Sequence, residues 1–270
     1  MKTTARDILK DIGSQLAYHK SVGIEKYPAN EGTFALLNHQ PQEGTLRKVK
    51  AAVSVDTPLA RRAAKSEVKK DDSPLDTVPS GSLQELGNEI AACTACALAE
   101  FRILPVAGNG GERARLLIVG DRLPADKGTR LPQTCVFGIE QDRMLARMLD
   151  AIKLPRSDVF VTNVIKCAVP LARQPQAEHV NACYSYLQKQ VAVLRPEMIL
   201  AMGMIPARMM LSRSDSLSRL RGRFHSYKCT DGRKIPLVAT YHPTFLMQNE
   251  GMKRATWEDL KLVARQLNLA

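Results

Sequence analysis

The chain has 270 residues, 39 Lys and Arg against 27 Asp and Glu for a net charge of +12, six cysteines and 5% aromatics; 44% of it is hydrophobic. That is enough to bury one sizeable core, which excludes a disordered protein and a small disulfide scaffold. The longest charge-free run, Ile235 to Asn249, spans 15 residues and holds two prolines, short of the ~18 apolar residues of a membrane helix. No membrane partner is therefore expected. The start carries early charge but no apolar stretch, so no secretory signal is read and a cytoplasmic protein is expected. In that compartment six cysteines are free thiols or metal ligands rather than disulfides. The positive balance points to an anionic partner, nucleic acid first.

Taken in chain order, residues 1–40 carry Ile8, Leu9, Ile12 and Leu16 at helical spacing and predict one short helix. Residues 41–82 lie within a stretch without any aromatic residue between Phe34 and Phe101 and are built from Lys, Arg, Ala, Ser, Asp, Val and Pro. Such a composition buries too little apolar surface to offset its ordering entropy, so it predicts a flexible, disordered linker. From residue 83 to 270 the pattern alternates. Apolar runs at 115–119, 159–162, 198–202 and 236–240 predict strands buried on both faces, and 141–152, 177–194, 205–211 and 253–267 predict helices. Strand then helix, repeated, implies a three-layer α/β/α sandwich around a mostly parallel four-stranded sheet, with the N-terminal extension outside it.

Ligands of such sheets bind beyond the carboxyl ends of the strands. The residues there are Gly120-Asp121-Arg122, Asn163, Gly203 and Tyr241-His242-Pro243. An acid, an amide and an imidazole thus converge on one edge. Each alone reads equally as a turn or cap residue; together they point to a site.

Cys93 and Cys96 form a C-x2-C pair, and Cys167 and Cys183 follow as C-x15-C. Four thiolates so spaced suit a tetrahedral zinc or a [4Fe-4S] cluster, or are four incidental buried thiols. Cys135 and Cys229 have no such partner and read as small hydrophobes.

In combination these residues resemble the iron–sulfur uracil-DNA glycosylases, family 4 with relatives in family 5. The cysteine spacing agrees, with 70 residues between Cys96 and Cys167. Thr162-Asn163-Val164-Ile165-Lys166-Cys167 is similar to the family's T-N-x-x-K-C segment, Thr240-Tyr241-His242-Pro243-Thr244-Phe245-Leu246 to its T-x-H-P-[ST]-x-L motif, Trp257-Glu258-Asp259-Leu260 to its terminal helix, and Leu220-Arg221-Gly222 to its Leu-Arg-Gly. The resemblance covers residues 83–267. It implies a DNA-repair hydrolase in which Asn163 reads the flipped uracil, Phe137 stacks on it, and His242 stabilises charge on the leaving base. The loop 243–253 would approach the minor groove, and Cys93, Cys96, Cys167 and Cys183 would hold a [4Fe-4S] cluster. Asp121 stands where the family has a Glu that would activate water, and Arg122 replaces a small residue, where its bulk would crowd or reshape the pocket.

Between Met204 and Lys234 eight basic residues face two acidic ones. Within this run Arg208, Arg213, Arg219, Arg221 and Arg223 are candidate DNA-backbone contacts. Three readings stand: a monomeric glycosylase acting on uracil or another deaminated base, a catalytically degenerate iron–sulfur DNA-binding protein of the same fold, and a zinc-containing regulatory α/β domain.

Overall fold

A computed structural model of the chain describes residues 82–269. The expected N-terminal helix and the linker up to residue 81 lie outside the described residues. Ser82 and Glu85 form a reciprocal capping box at 3.1 and 2.8 Å that starts α1, Leu83–Ala92. This arrangement satisfies two otherwise orphaned backbone N–H groups.

Eight strands follow: β1 Leu104–Pro105, β2 Asn109–Gly110, β3 Leu116–Gly120, β4 Val159–Asn163, β5 Cys167–Ala168, β6 Met198–Met202, β7 Phe224–Lys228 and β8 Lys234–Thr240. The principal sheet has the order β2-β4-β3-β6-β8-β7, and β1 pairs with β5 in a small antiparallel ribbon. The four strands expected from sequence are its parallel centre. The expected four-stranded sheet is in fact six-stranded, because antiparallel β2 and β7 close its two edges. Neither carries the continuous apolar run that identifies a central strand: β2 has two residues, and β7 reads Phe-His-Ser-Tyr-Lys with only Tyr227 buried.

Every residue of β3, β4 and β6 is buried, and alternation sends them into two cores. Leu117, Val119, Ile199, Ala201, Leu237 and Ala239 pack on one face with Val180, Leu187 and Val191 of α3, Ala177–Leu194, and with Met210. Leu116, Ile118, Val161, Leu200 and Val238 pack on the other with Leu145 and Leu149 of α2, Ile139–Ala151, and Leu260 and Val263. Two apolar faces with helices on each make the three layers. The remaining helices are α4 Met204–Leu211, α5 Leu217–Leu220, α6 Pro243–Gln248 and α7 Lys253–Gln266. Among the described residues no helix is long and apolar enough to cross a membrane.

Candidate functional site

Parallel register sets the site. Gly120 pairs with Asn163 across β3 and β4, and Met202 with Thr240 across β6 and β8, so the residues that follow emerge along one edge. The chain segments after β3 and β4 are stitched together: Gly120 O accepts from Val164 N at 2.9 Å and Asp121 O from Ile165 N at 3.0 Å. Asp121 is thereby held, half-buried, beside the Asn163 turn.

Asn163, fully buried, donates through Nδ2 to the Val136 carbonyl at 2.6 Å. Two oxygens would repel there, so the amide orientation is fixed and Oδ1 is left as the free acceptor. That Oδ1 is buried and has no hydrogen-bond partner among the described residues. Phe137, also fully buried, places its ring against the His242 imidazole at a centroid distance of 4.7 Å and 57°. The floor below them is Gly120. A Cβ there would stand 2.3 Å from Phe137 Cε1 and 2.7 Å from Asn163 Oδ1, so only glycine fits.

His242 begins α6, and its Nδ1 accepts the Thr244 N–H at 3.2 Å. The ring proton of the neutral imidazole therefore sits on Nε2, which is buried and has no partner among the described residues. Burial lowers the His242 pKa to about 4. The residue as a whole is half-buried while Nε2 is sealed, and it is charge at this sealed end that burial disfavours. Around Gly120 this edge thus brings together one acceptor, one neutral donor and one aromatic ring, with Asp121 next in the chain. Such a set can read a heterocycle with adjacent N–H and carbonyl groups and stabilise negative charge on it.

Several supporting residues do work that their place in the sequence does not reveal. Asp142 accepts the Val136 and Phe137 N–H groups at 2.9 and 3.1 Å and so fixes the segment that bears the aromatic ring. Asp259, fully buried, binds Arg221 through both carboxylate oxygens at 3.0 Å, the Gly222 N–H at 2.9 Å and the Thr240 hydroxyl at 2.7 Å, two residues before His242. Burial pushes the Asp259 pKa up while Thr240 and Arg221 oppose it. Arg122 is nearly buried, and its guanidinium reaches the Arg173 carbonyl at 3.2 Å and the Gln174 side-chain oxygen at 3.0 Å. The residue expected to crowd the pocket ties its loop to the 173–174 segment.

The four cysteines of the two pairs come together from α1's end, β5 and α3. Cys167 and Cys183 are buried, Cys93 and Cys96 partly so, and none forms a disulfide. Burial raises the Cys167 thiol to about 11, with Cys183 and Cys96 adding to it and Arg102 opposing. Cys183 is raised by burial first, with Cys96 and Cys93 contributing, and its Sγ accepts the Lys166 N–H at 3.3 Å. Among the described residues no three His, Cys, Asp or Glu side chains are grouped to hold one metal ion. The sulfurs around a single tetrahedral zinc lie ~3.8 Å apart, given Zn–S of about 2.3 Å. Four cysteine thiols, two of them buried, are a donor set of the kind that holds zinc or an iron–sulfur cluster.

The basic run does not form one patch. Phe224 pairs with Val238 near the site end of β7, whereas Lys228 pairs with Lys234 at the opposite end. The turn between them, with Arg233 bonded to Asp231 at 2.7 Å, faces away from the site. Arg221 is internal: besides Asp259 it binds the Ala255 carbonyl, and 18% of its side chain is exposed. Arg208 donates to the Asp215 carbonyl at 2.8 Å, and Arg213 pairs with the Asp215 carboxylate at 2.8 Å. Arg219 and Arg223 are exposed, beside an exposed Phe224. The segment expected as a loop after His242 is α6 and a short 3-10 turn, Glu250–Met252, with Leu246 buried and Phe245 and Met247 exposed. The Phe245 ring stacks on Tyr241 at 4.9 Å.

The sequence model of the uracil DNA glycosylase superfamily matches residues 107–261, from before β2 into α7. Similar proteins include the type-4 uracil-DNA glycosylases of Saccharolobus solfataricus, 29% identical over 69% of this chain and 87% of that protein, of Archaeoglobus fulgidus, 30% over 67% and 92%, and of Pyrobaculum aerophilum, 31% over 67% and 92%. The matched span holds all six strands of the principal sheet and every residue of the recess built by Gly120, Phe137, Asn163 and His242, and the chain belongs to the uracil DNA glycosylase superfamily.

Proposed function

We propose that the chain is a uracil-DNA glycosylase, flipping uracil out of DNA and hydrolysing its N-glycosidic bond. The observation that carries this reading is the buried pair of unmatched groups, Asn163 Oδ1 as acceptor and His242 Nε2–H as donor, beside the Phe137 ring. Uracil offers the complement, an N3–H donor between two carbonyl acceptors. Asn163 Oδ1 accepts from N3–H, and cytosine, whose N3 is an acceptor, meets repulsion instead. Phe137 stacks on the base and offsets part of the few kcal/mol that flipping costs. As the glycosidic bond breaks, electrons flow to the uracil oxygen, and His242 donates its Nε2–H to the developing anion without transferring net charge. Donors of this kind contribute ~3 kcal/mol to a barrier. The Asp121 carboxylate stabilises the cationic sugar and orients the water that attacks it; the water oxygen forms the new bond to the sugar carbon, its proton passes through Asp121 to solvent, and uracil departs as the anion.

Cys93, Cys96, Cys167 and Cys183 hold a [4Fe-4S] cluster in this reading, which would supply a structural cross-link. Coordination deprotonates thiols that burial otherwise keeps neutral, so loading releases protons. The proposed catalytic unit is residues 83–270, a cytoplasmic monomer. DNA is gripped by Arg219 and Arg223 at the site end, with Phe245 and Met247 projecting toward the strand; Arg208 and Arg213 extend the contact along the phosphates. The test is an end-labelled oligonucleotide bearing one uracil, incubated with the protein and treated with alkali. Scission at uracil is expected. Salt-sensitive binding without scission at uracil, hypoxanthine or xanthine leaves the degenerate DNA-binding reading instead.

A further inference from the structure

Lys166 is 1% exposed and, among the described residues, has no carboxylate partner. Its Nζ donates to three neutral acceptors, Asn163 O at 2.6 Å, Gln190 Oε1 at 2.6 Å and Thr162 Oγ1 at 2.8 Å. Burying an ammonium among neutral groups is costly unless each of its donors is satisfied, and here all three are. Gln190 and Thr162 are themselves anchored on the Ala107 carbonyl, Thr162 at 3.2 Å. Two of the three acceptors are thus held from Ala107, and the third is the main chain of Asn163.

The reason lies in the turn that follows β4. In a tight turn over 163–166 the Lys166 N–H would donate back to the Asn163 carbonyl. That N–H is diverted to Cys183 Sγ at 3.3 Å. The Asn163 carbonyl is buried and loses its backbone donor, and the side chain of the same Lys166 supplies the replacement. No neutral side chain reaches back with three donors at once. The peptide of Asn163 is thus clamped from behind by Nζ while its side chain is held by Val136 O in front, and Oδ1 is left with one direction to point.

We propose that Lys166 is a positioning residue for base reading: through the main-chain oxygen of Asn163 it fixes the orientation in which the Asn163 amide meets a flipped base. The proposal rests on the reading of Asn163 as the base-contacting residue, and it holds whether or not the chain cleaves. Sub-ångström release of the Asn163 peptide would spoil the Oδ1 contact while leaving the DNA surface intact.

The test is binding by the full chain to oligonucleotides that carry a single 2′-fluorodeoxyuridine or 2′-fluorodeoxycytidine. The fluorine disfavours the cationic sugar, so both stay uncleaved. Four proteins are compared: wild type, Lys166→Met, Asn163→Ala and the double variant, with iron content and melting recorded for each. The wild type is expected to prefer uracil, Asn163→Ala to lose that preference, and Lys166→Met to lose about tenfold of it with unchanged affinity for undamaged DNA. The double variant should match Asn163→Ala, because one effect passes through the other. If Lys166→Met does not fold, Lys166→Gln, one atom shorter, takes its place under the same criteria. A folded variant with the wild-type preference, a further loss on the Asn163→Ala background, or no preference in the wild type overturns the proposal. Absence of scission in the separate uracil assay overturns only the glycosylase reading.

Discussion

At the scale of single residues, His242 is decided by which of its nitrogens is occupied. The Thr244 N–H takes Nδ1, and burial keeps the ring neutral down to a pKa of about 4. Between pH 5.5 and 8 the proposed donor therefore does not titrate, and turnover measured across that range should show no step near 6.5, the ordinary histidine value. A limb centred there would refute the neutral-donor role. Stability has a defined sign too. The folded value lies below the unfolded one, so the unfolded chain takes the proton first, and stability is lost as pH falls from about 6.5 toward 4. Thermal melts over that window check the direction. His242→Ala should lower kcat by roughly 10²- to 10³-fold with little change in DNA affinity. Gly120→Ala is expected to abolish scission at uracil, since its methyl group would enter the space of the Phe137 ring and the Asn163 oxygen; an active Gly120→Ala enzyme would mean that the recess is not the base pocket.

At the scale of elements, the segment from α5 to β7 divides labour among residues that are alike in sequence. Arg221 neutralises buried Asp259, which also holds the end of β8 through Thr240. Removing the guanidinium strands a buried carboxylate, so Arg221→Ala should destabilise the fold by about 3–5 kcal/mol. Denaturant melts measure this. Arg223→Ala, by contrast, should leave the melt alone, weaken binding to any DNA sequence and reduce the salt slope of log Kd by about one unit. If the two variants exchange these behaviours, the assignment of Arg221 to the interior fails. The spacing of basic residues could not separate them, because the alternation between inward and outward depends on Asp259, which comes from α7, 38 residues later.

At the scale of the whole molecule, three segments distant in sequence meet at the cysteines: the turn after α1, β5 and α3. A shared cluster would cross-link them and brace the loops on which Asn163 and Arg122 sit. Cys183→Ser should then purify with little iron and melt at lower temperature, while full iron content would exclude it from the ligand set. Much of this organisation is legible in the chain. Continuous apolar runs identify the four parallel strands because burial on both faces leaves no polar alternation, and the helix at 177–194 is bounded as its pattern predicts. Asp121, Asn163 and His242 stand out because chain order places them at or just past the carboxyl ends of strands, and the motif resemblance marks Phe137 and the cysteines. The edge strands β2 and β7 escape notice because pairing, not composition, makes them strands. The motifs mark Lys166 and Asp259, but their tasks, like the whole of Asp142's, escape for a related reason: each acts on a backbone group or a charge that spacing does not reveal as a partner.

The α/β alternation, the order in which chemistry-bearing residues leave the strands and the family resemblance are all readable along the chain, since they follow from local periodicity and spacing. Only the tertiary structure decided which polar groups are left unmatched in the recess, which arginines face solvent, and how a buried lysine closes the turn behind Asn163. Hydrogen bonding and desolvation are properties of neighbours in space, and folding brings residues 120, 137, 163 and 242 into contact in a way that no local pattern records.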